Sequence, residues 1–215
     1  MGCDGSRSAL LVVDLQYDFL PGGALPVSSG DEILAPLIEF LTGAHHRVIV
    51  VTQDWHPPGH ISFASSHPDR QAFDEIELFG RPQTLWPDHC VQGSPGARLH
   101  DELPLDPVDL IIRKGMNSRV DSYSAFRNNW DENGRRPATG LAGFLRERGV
   151  EEVWVSGLAR DFCVLWTAED AAEAGFAVRV LWDLSRPVDP SSDDRVRDTL
   201  AACGALFVSG LDGMA

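Results

Sequence analysis

"SALLVVDLQ" (residues 8–16) decides the fold. Ala9 to Val13 run without the polar alternation of a half-exposed strand, so both faces of this strand must be covered by protein. The run then stops on a carboxylate, Asp14.

Similar runs follow at 46–54, 108–115, 151–159, 176–183 and 205–209. Helix-like stretches separate them at 30–44, 139–150, 161–175 and 191–204, the first capped by Ser29 or Asp31 and the second and third followed or stopped by Gly149 and Gly175. Strands apolar on both faces and alternating with helices predict a three-layer α/β/α sandwich with a mainly parallel six-stranded sheet. The stretch 57–105 is too long for a plain loop, and segments of that kind usually carry function.

The 215 residues suit one sizeable core, and 43% hydrophobic with 23% charged residues is ordinary for a globular protein. A net charge of −14 argues against nucleic acid as a partner. No apolar run is long enough to span a membrane. "MGCDGS" fits the loose myristoylation pattern, but no polybasic patch supplies a second anchor, so no lipid anchor is expected. With no signal-peptide core before the first strand, the expected location is the cytoplasm. Cysteines at 3, 90, 163 and 203 form no CxxC pair or disulfide framework and are expected to be reduced. Self-association into a homo-oligomer is compatible with the sequence.

In parallel sheets ligands bind beyond the carboxyl ends of the strands. Asp14, Asp54, Lys114 and the segment 159–163 all directly follow an apolar run. Cys163 lies at a strand–helix junction, where unpaired N–H groups favour a thiolate and could hold an oxyanion; a buried, inert thiol is the competing reading. Lys114 is the only lysine beside seventeen arginines, which suggests that an ammonium is needed there. Asp14 is placed to act as general base for a thiol, or else to cap a turn. Asp54 and His56 are two apart in an extended segment, so they can share an ion; His89 in "LWPDHC" is the best-placed further ligand. One carboxylate with two or three imidazoles suits Zn²⁺, Fe²⁺ or Mn²⁺. Phe19, Trp86, Tyr123 and Phe162 lie near these polar positions and could wall a flat ring, although each could equally be core.

Five segments together resemble the nicotinamidase/pyrazinamidase family of the isochorismatase-like cysteine hydrolases: "LLVVDLQYDFLPGGALPV", "VTQDWHPPGHISFASSH", "LWPDHCVQGSPGARLH", "RKGMNSRVDSYSAF" and "VSGLARDFCVLWTAEDAAEAGF". The resemblance implies one such domain over 1–215, with a metal- and substrate-binding insertion at about 55–105. It implies an amidohydrolase of nicotinamide, and of pyrazinamide, feeding NAD salvage. Its catalytic residues would be Cys163 as nucleophile, Asp14 as proton acceptor and Lys114. The N–H groups of Ala159 and Cys163 would form an oxyanion hole, and a non-proline cis peptide would join Ala159 to Arg160. Asp54, His56 and His89 would bind the divalent metal, most simply Zn²⁺, while Phe19 and Trp86 would sandwich the substrate ring. His60 is either a fourth ligand or a partner of the ligands. Arg160, where some relatives have a small hydroxyl residue, is expected to alter the pocket rim. The competing functions are a carbamoyl- or ureido-compound amidase and a non-catalytic, metal-stabilised α/β binding module.

Overall fold

The computed structural model describes residues 5–43 and 45–209. Gly2 and Cys3 of the "MGCDGS" pattern lie outside the described residues. In chain order the elements are β1 (Ser8–Val13), α1 (Leu34–Gly43), β2 (Val48–Asp54), β3 (Glu75–Leu78), β4 (Arg81–Thr84), β5 (Leu110–Lys114), α2 (Leu141–Glu147), β6 (Glu152–Leu158), α3 (Leu165–Glu173), β7 (Ala177–Arg186), α4 (Asp193–Ala202) and β8 (Leu206–Val208). Among the described residues no helix is long and apolar enough to cross a membrane.

Six strands form one parallel sheet in the order β5-β2-β1-β6-β7-β8. The expected three layers are there because β1 is buried along its whole length. Ala9, Leu11 and Val13 face one core, shared with Leu141, Leu145, Leu165, Ala168 and Val196 of α2, α3 and α4. Leu10 and Val12 face the other, shared with Leu34, Leu37, Phe40 and Leu41 of α1. Each Val, Leu or Phe side chain among them contributes about 1.5–3 kcal/mol by leaving water. The edge strands β5 and β8 are the more exposed ones.

Among the boundaries that differ from the sequence reading, three have a clear local reason. β1 stops at Val13 because Asp14 turns left-handed, with φ of 50°, and gives its N–H to Thr52 Oγ1 at 3.1 Å. α1 begins at Leu34 after a 3₁₀ turn at Gly30–Ile33, and the Ser29 hydroxyl bonds the Glu32 carboxylate instead of capping. The expected helix from 161 begins as a π turn, Arg160–Val164, in which the Val164 N–H reaches Ala159 O. The long stretch after β2 contains the antiparallel β3–β4 hairpin, and bridges at His56–Val91 and Phe63–Trp86 hold the rest.

Candidate active site

The sheet order reverses between β1 and β6, and the polar strand ends meet there. Asp14 follows β1, Asp54 ends β2, Lys114 ends β5 in register with Asp54, and Cys163 lies five residues beyond β6. From β5, separated from β6 by β2 and β1, the lysine side chain is long enough to reach across. Its Nζ lies 2.8 Å from Asp14 Oδ2, 2.9 Å from Asp54 Oδ1 and 3.4 Å from Cys163 Sγ. Thr52 Oγ1 donates to Asp14 Oδ1 at 2.6 Å, so the base is held from both sides.

Burial sets the protonation of this group. Burial opposes a charged Lys114, but the Asp14 and Asp54 carboxylates outweigh it and hold the ammonium well above its usual range. Burial raises Asp14 despite Lys114, which makes it a stronger base than an ordinary aspartate. Burial also pushes the Cys163 thiol well up against the pull of Lys114. Desolvation thus opposes the thiolate that the helix N-terminus was expected to favour.

On the other side, Asp54 Oδ2 lies 2.9 Å from His56 Nε2 and 3.4 Å from His89 Nε2. His56 Nδ1 faces Gly115 O at 3.1 Å, and His89 Nδ1 faces Pro87 O at 2.7 Å. A carbonyl can only accept, so both rings carry hydrogen on Nδ1 and turn an Nε2 lone pair toward the carboxylate. Three converging, buried electron-pair donors, all within 4.8 Å of one another, fit a divalent cation. Gly115 is required here, because its φ is +67° and a Cβ would overlap the His56 ring. A proton on His56 Nε2 takes the place an ion would fill: that imidazolium, with Lys114, outweighs burial and holds the Asp54 carboxyl well below its usual range.

His60 belongs to a second buried group, with His56 and Asp121, whose donor atoms also lie within 4.8 Å of one another. Its Nε2–H donates to Asn117 O at 2.9 Å, and Nδ1 pairs with Ser62 Oγ at 2.7 Å. Both nitrogens are spent, and its ring packs 4.3 Å from that of His56.

Between the two sets lies a narrow cavity, with about 20 Å³ open to a water-sized sphere. Phe19, Trp86, Tyr123 and Phe162 all line it, with Ala159, Cys163, Asp54, His56 and His89. Trp86 stands edge-on to Phe162 at 4.7 Å and donates its indole N–H to the Tyr123 hydroxyl at 3.2 Å. The non-proline cis peptide joins Leu158 to Ala159, at the exit of β6, one bond earlier than the resemblance implied. Arg160 does not shape the rim as expected; its side chain runs to Trp182, Ser185 and Asp193, because the π turn directs it there.

Sequence reasoning missed Asp121 and Gln83. Asp121 lines the cavity and accepts from Gln83 Nε2 at 2.8 Å; the same amide donates to the Tyr123 hydroxyl at 3.0 Å. Its only signal was a carboxylate two residues before Tyr123. Gln16 was also passed over, although its amide pairs with both backbone groups of Asp54 at 2.7 and 2.8 Å and fixes that ligand's position.

The isochorismatase domain matches residues 8–210. A nicotinamidase of Acinetobacter baylyi is 51% identical over 86% of this chain and 83% of its own length. One from Escherichia coli is 44% identical over 95% of both. An Acinetobacter baumanii nicotinamidase/pyrazinamidase structure superposes with a TM-score of 0.91 at 41% identity, covering 98% of this chain and 99% of that one. PnC1 from L. infantum, solved in complex with nicotinate, gives 0.84 at 38% identity over 97% and 96%. A Pyrococcus horikoshii pyrazinamidase in complex with zinc gives 0.73 at 35% identity over 94% and 99%. The chain belongs to the isochorismatase family, on its nicotinamidase/pyrazinamidase branch.

Proposed function

We propose that this protein hydrolyses nicotinamide to nicotinate and ammonia, and pyrazinamide to pyrazinoate, through a thioester on Cys163. The observation that carries this is one aromatic-walled cavity bounded by a buried Asp–Lys–Cys group on one side and a buried Asp–His–His group on the other. A flat ring taken up between these walls would turn its carboxamide toward the sulfur.

Asp14 takes the Sγ proton as sulfur attacks the carboxamide carbon, and the carbonyl π pair moves to oxygen. The N–H groups of Ala159 and Cys163 hold that oxyanion. The intermediate collapses, and the amide nitrogen leaves as ammonia with the proton from Asp14. Asp14 then deprotonates a water that attacks the thioester; nicotinate leaves and sulfur regains its proton. Lys114 stays cationic throughout and offsets the charge on Asp14.

Asp54, His56 and His89 would hold a divalent metal, Zn²⁺ as in the archaeal relative, with Fe²⁺ and Mn²⁺ compatible with the same donors. When bound, the metal supplies a Lewis-acid anchor for a ring nitrogen. Phe19, Trp86, Tyr123 and Phe162 keep the ring flat and exclude water. Residues 1–215 act as one domain, with about 55–105 contributing the metal side. The reaction belongs in the cytoplasm, where nicotinate enters NAD salvage.

The test is ammonia release from nicotinamide beside a panel of carbamoyl and ureido amides. Nicotinamide should be the preferred substrate; release only from the ureido compounds would overturn the assignment. Chelation should abolish turnover while circular dichroism stays native, and global unfolding on metal removal would instead mark a structural ion.

A further inference from the structure

Arg160 and Asp161 sit between Ala159 and Cys163, yet neither lines the cavity. They are only 4% and 2% exposed, so two adjacent charges are withdrawn from water, which is costly unless both are fully paired. Their partners all lie in one segment. Arg160 Nη1 grips both oxygens of Asp193 at 2.9 and 2.8 Å, Nε donates to Ser185 Oγ at 3.1 Å, and Nη2 donates to Ser185 O at 2.5 Å and Trp182 O at 3.3 Å. Its guanidinium also lies 4.0 Å from the centre of the Trp182 ring. Asp161 accepts from the N–H groups of Val188 and Asp189 at 2.8 and 2.9 Å, and from Ser192 Oγ at 3.2 Å. Val188 is itself part of the cavity wall.

We infer that Arg160 and Asp161 are positioning residues: they fasten the turn bearing Ala159 and Cys163 to the segment 182–193, and so set the sulfur against the oxyanion donors and Val188. This rests on the proposed amide hydrolysis. Burial of apolar side chains would seal the same seam with equal or better stability. What the charged pair adds is direction. The planar fork of Arg160 fixes two axes of the turn at once, and the Asp161 carboxylate fixes the facing loop. A lysine offers one point charge and cannot reproduce the fork.

The test uses the metal-loaded enzyme with Arg160→Lys and, as a milder second variant, Asp161→Asn. Displacing reacting groups by about 1 Å costs up to roughly a hundredfold, so kcat for nicotinamide should fall about tenfold to a hundredfold. KM should change far less than kcat, because Phe19, Trp86, Tyr123 and the metal ligands are not attached to these residues and only Phe162 and Val188 of the walls are. The pyridine aldehyde, with –CHO in place of the carboxamide, adds the Cys163 sulfur to its carbonyl carbon and places the resulting oxygen on the oxyanion donors. Its affinity should fall in parallel with kcat, while nicotinate affinity holds. Arg197→Gln is the control, since Arg197 lies 3.8 Å from the same indole ring; its kcat should be unchanged. Wild-type kcat in folded Arg160→Lys and Asp161→Asn overturns the inference, as does equal weakening of aldehyde and nicotinate. If the wild-type protein releases no ammonia from nicotinamide, the proposed function fails instead. Iodoacetamide labelling of Cys163, which needs no substrate, then reads the positioning alone: a severalfold change supports it and an unchanged rate overturns it.

Discussion

The two ends of the sheet carry ion pairs of similar length in opposite surroundings. At the amino end, Arg7 and Glu151 meet at 2.6 Å with their side chains 61% and 60% exposed. At the carboxyl end, Lys114 meets Asp14 and Asp54 at 2.8 and 2.9 Å with almost no exposure. Water screens the first pair, so it is nearly neutral to stability; the second group is withdrawn from water at a cost of several kcal/mol per ion. That cost is borne where the cavity, the thiol and the histidines converge. Two carboxylates around one ammonium also leave the group one negative charge in excess, which suits a site for a further cation.

The largest break in this comparison is Cys163→Ala. It removes the sulfur beside Lys114 while leaving the ion pairs of the group intact. Turnover should fall by at least about a thousandfold, with metal content and melting temperature unchanged. Residual activity near wild type would end the covalent mechanism.

Lys114→Met separates the two ends by stability. It strands two buried carboxylates, and breaking a buried pair in this way costs about 3–5 kcal/mol. Protonation of Asp14, whose pKa is already raised by burial, would recover part of that, so the loss should shrink as pH falls toward 4. Denaturant midpoints at two pH values read both effects, and turnover should vanish at either.

The carboxyl end was the more legible end in the sequence. Asp14, Asp54 and Lys114 each close an apolar run, and a parallel sheet brings such positions to one edge whatever the loops do. His89, Asp121 and Gln83 reach the site from irregular chain, where no periodicity marks the path; His89 was paired with Asp54 by context and family resemblance, and the other two went unseen. The burial that raises the Cys163 thiol has no mark in the sequence, where only its position at a helix start is visible. Arg160 was misplaced for a related reason: the π turn that decides which side it faces has no sequence signature of its own. The fold itself was readable because β1 cannot be apolar on both faces without two covering layers.

His46 sharpens the contrast at the amino end. Its Nδ1 pairs with Ser8 Oγ at 2.8 Å, and its ring packs 5.5 Å from Trp154. Burial lowers its pKa from 6.5 to about 4, against the pull of Glu152. The unfolded chain therefore takes up a proton between pH 6.5 and 4 that the folded protein refuses, and stability falls as pH drops through that window. Comparing pH 7 with pH 4.5, wild type should lose up to about 2 kcal/mol more than His46→Gln. Equal losses would show that the ring is solvated when folded.

The smallest effect belongs to the exposed pair itself. Arg7→Gln leaves Glu151 in water with nothing buried and nothing unpaired, so the unfolding free energy should change by less than about 1 kcal/mol and less still in high salt. This is the amino-end counterpart of Lys114→Met: the same bond type, a similar distance, and only the surrounding water changed. A loss from Arg7→Gln approaching that of Lys114→Met, measured by urea denaturation in the same buffer, would mean that burial is not what separates the two ends.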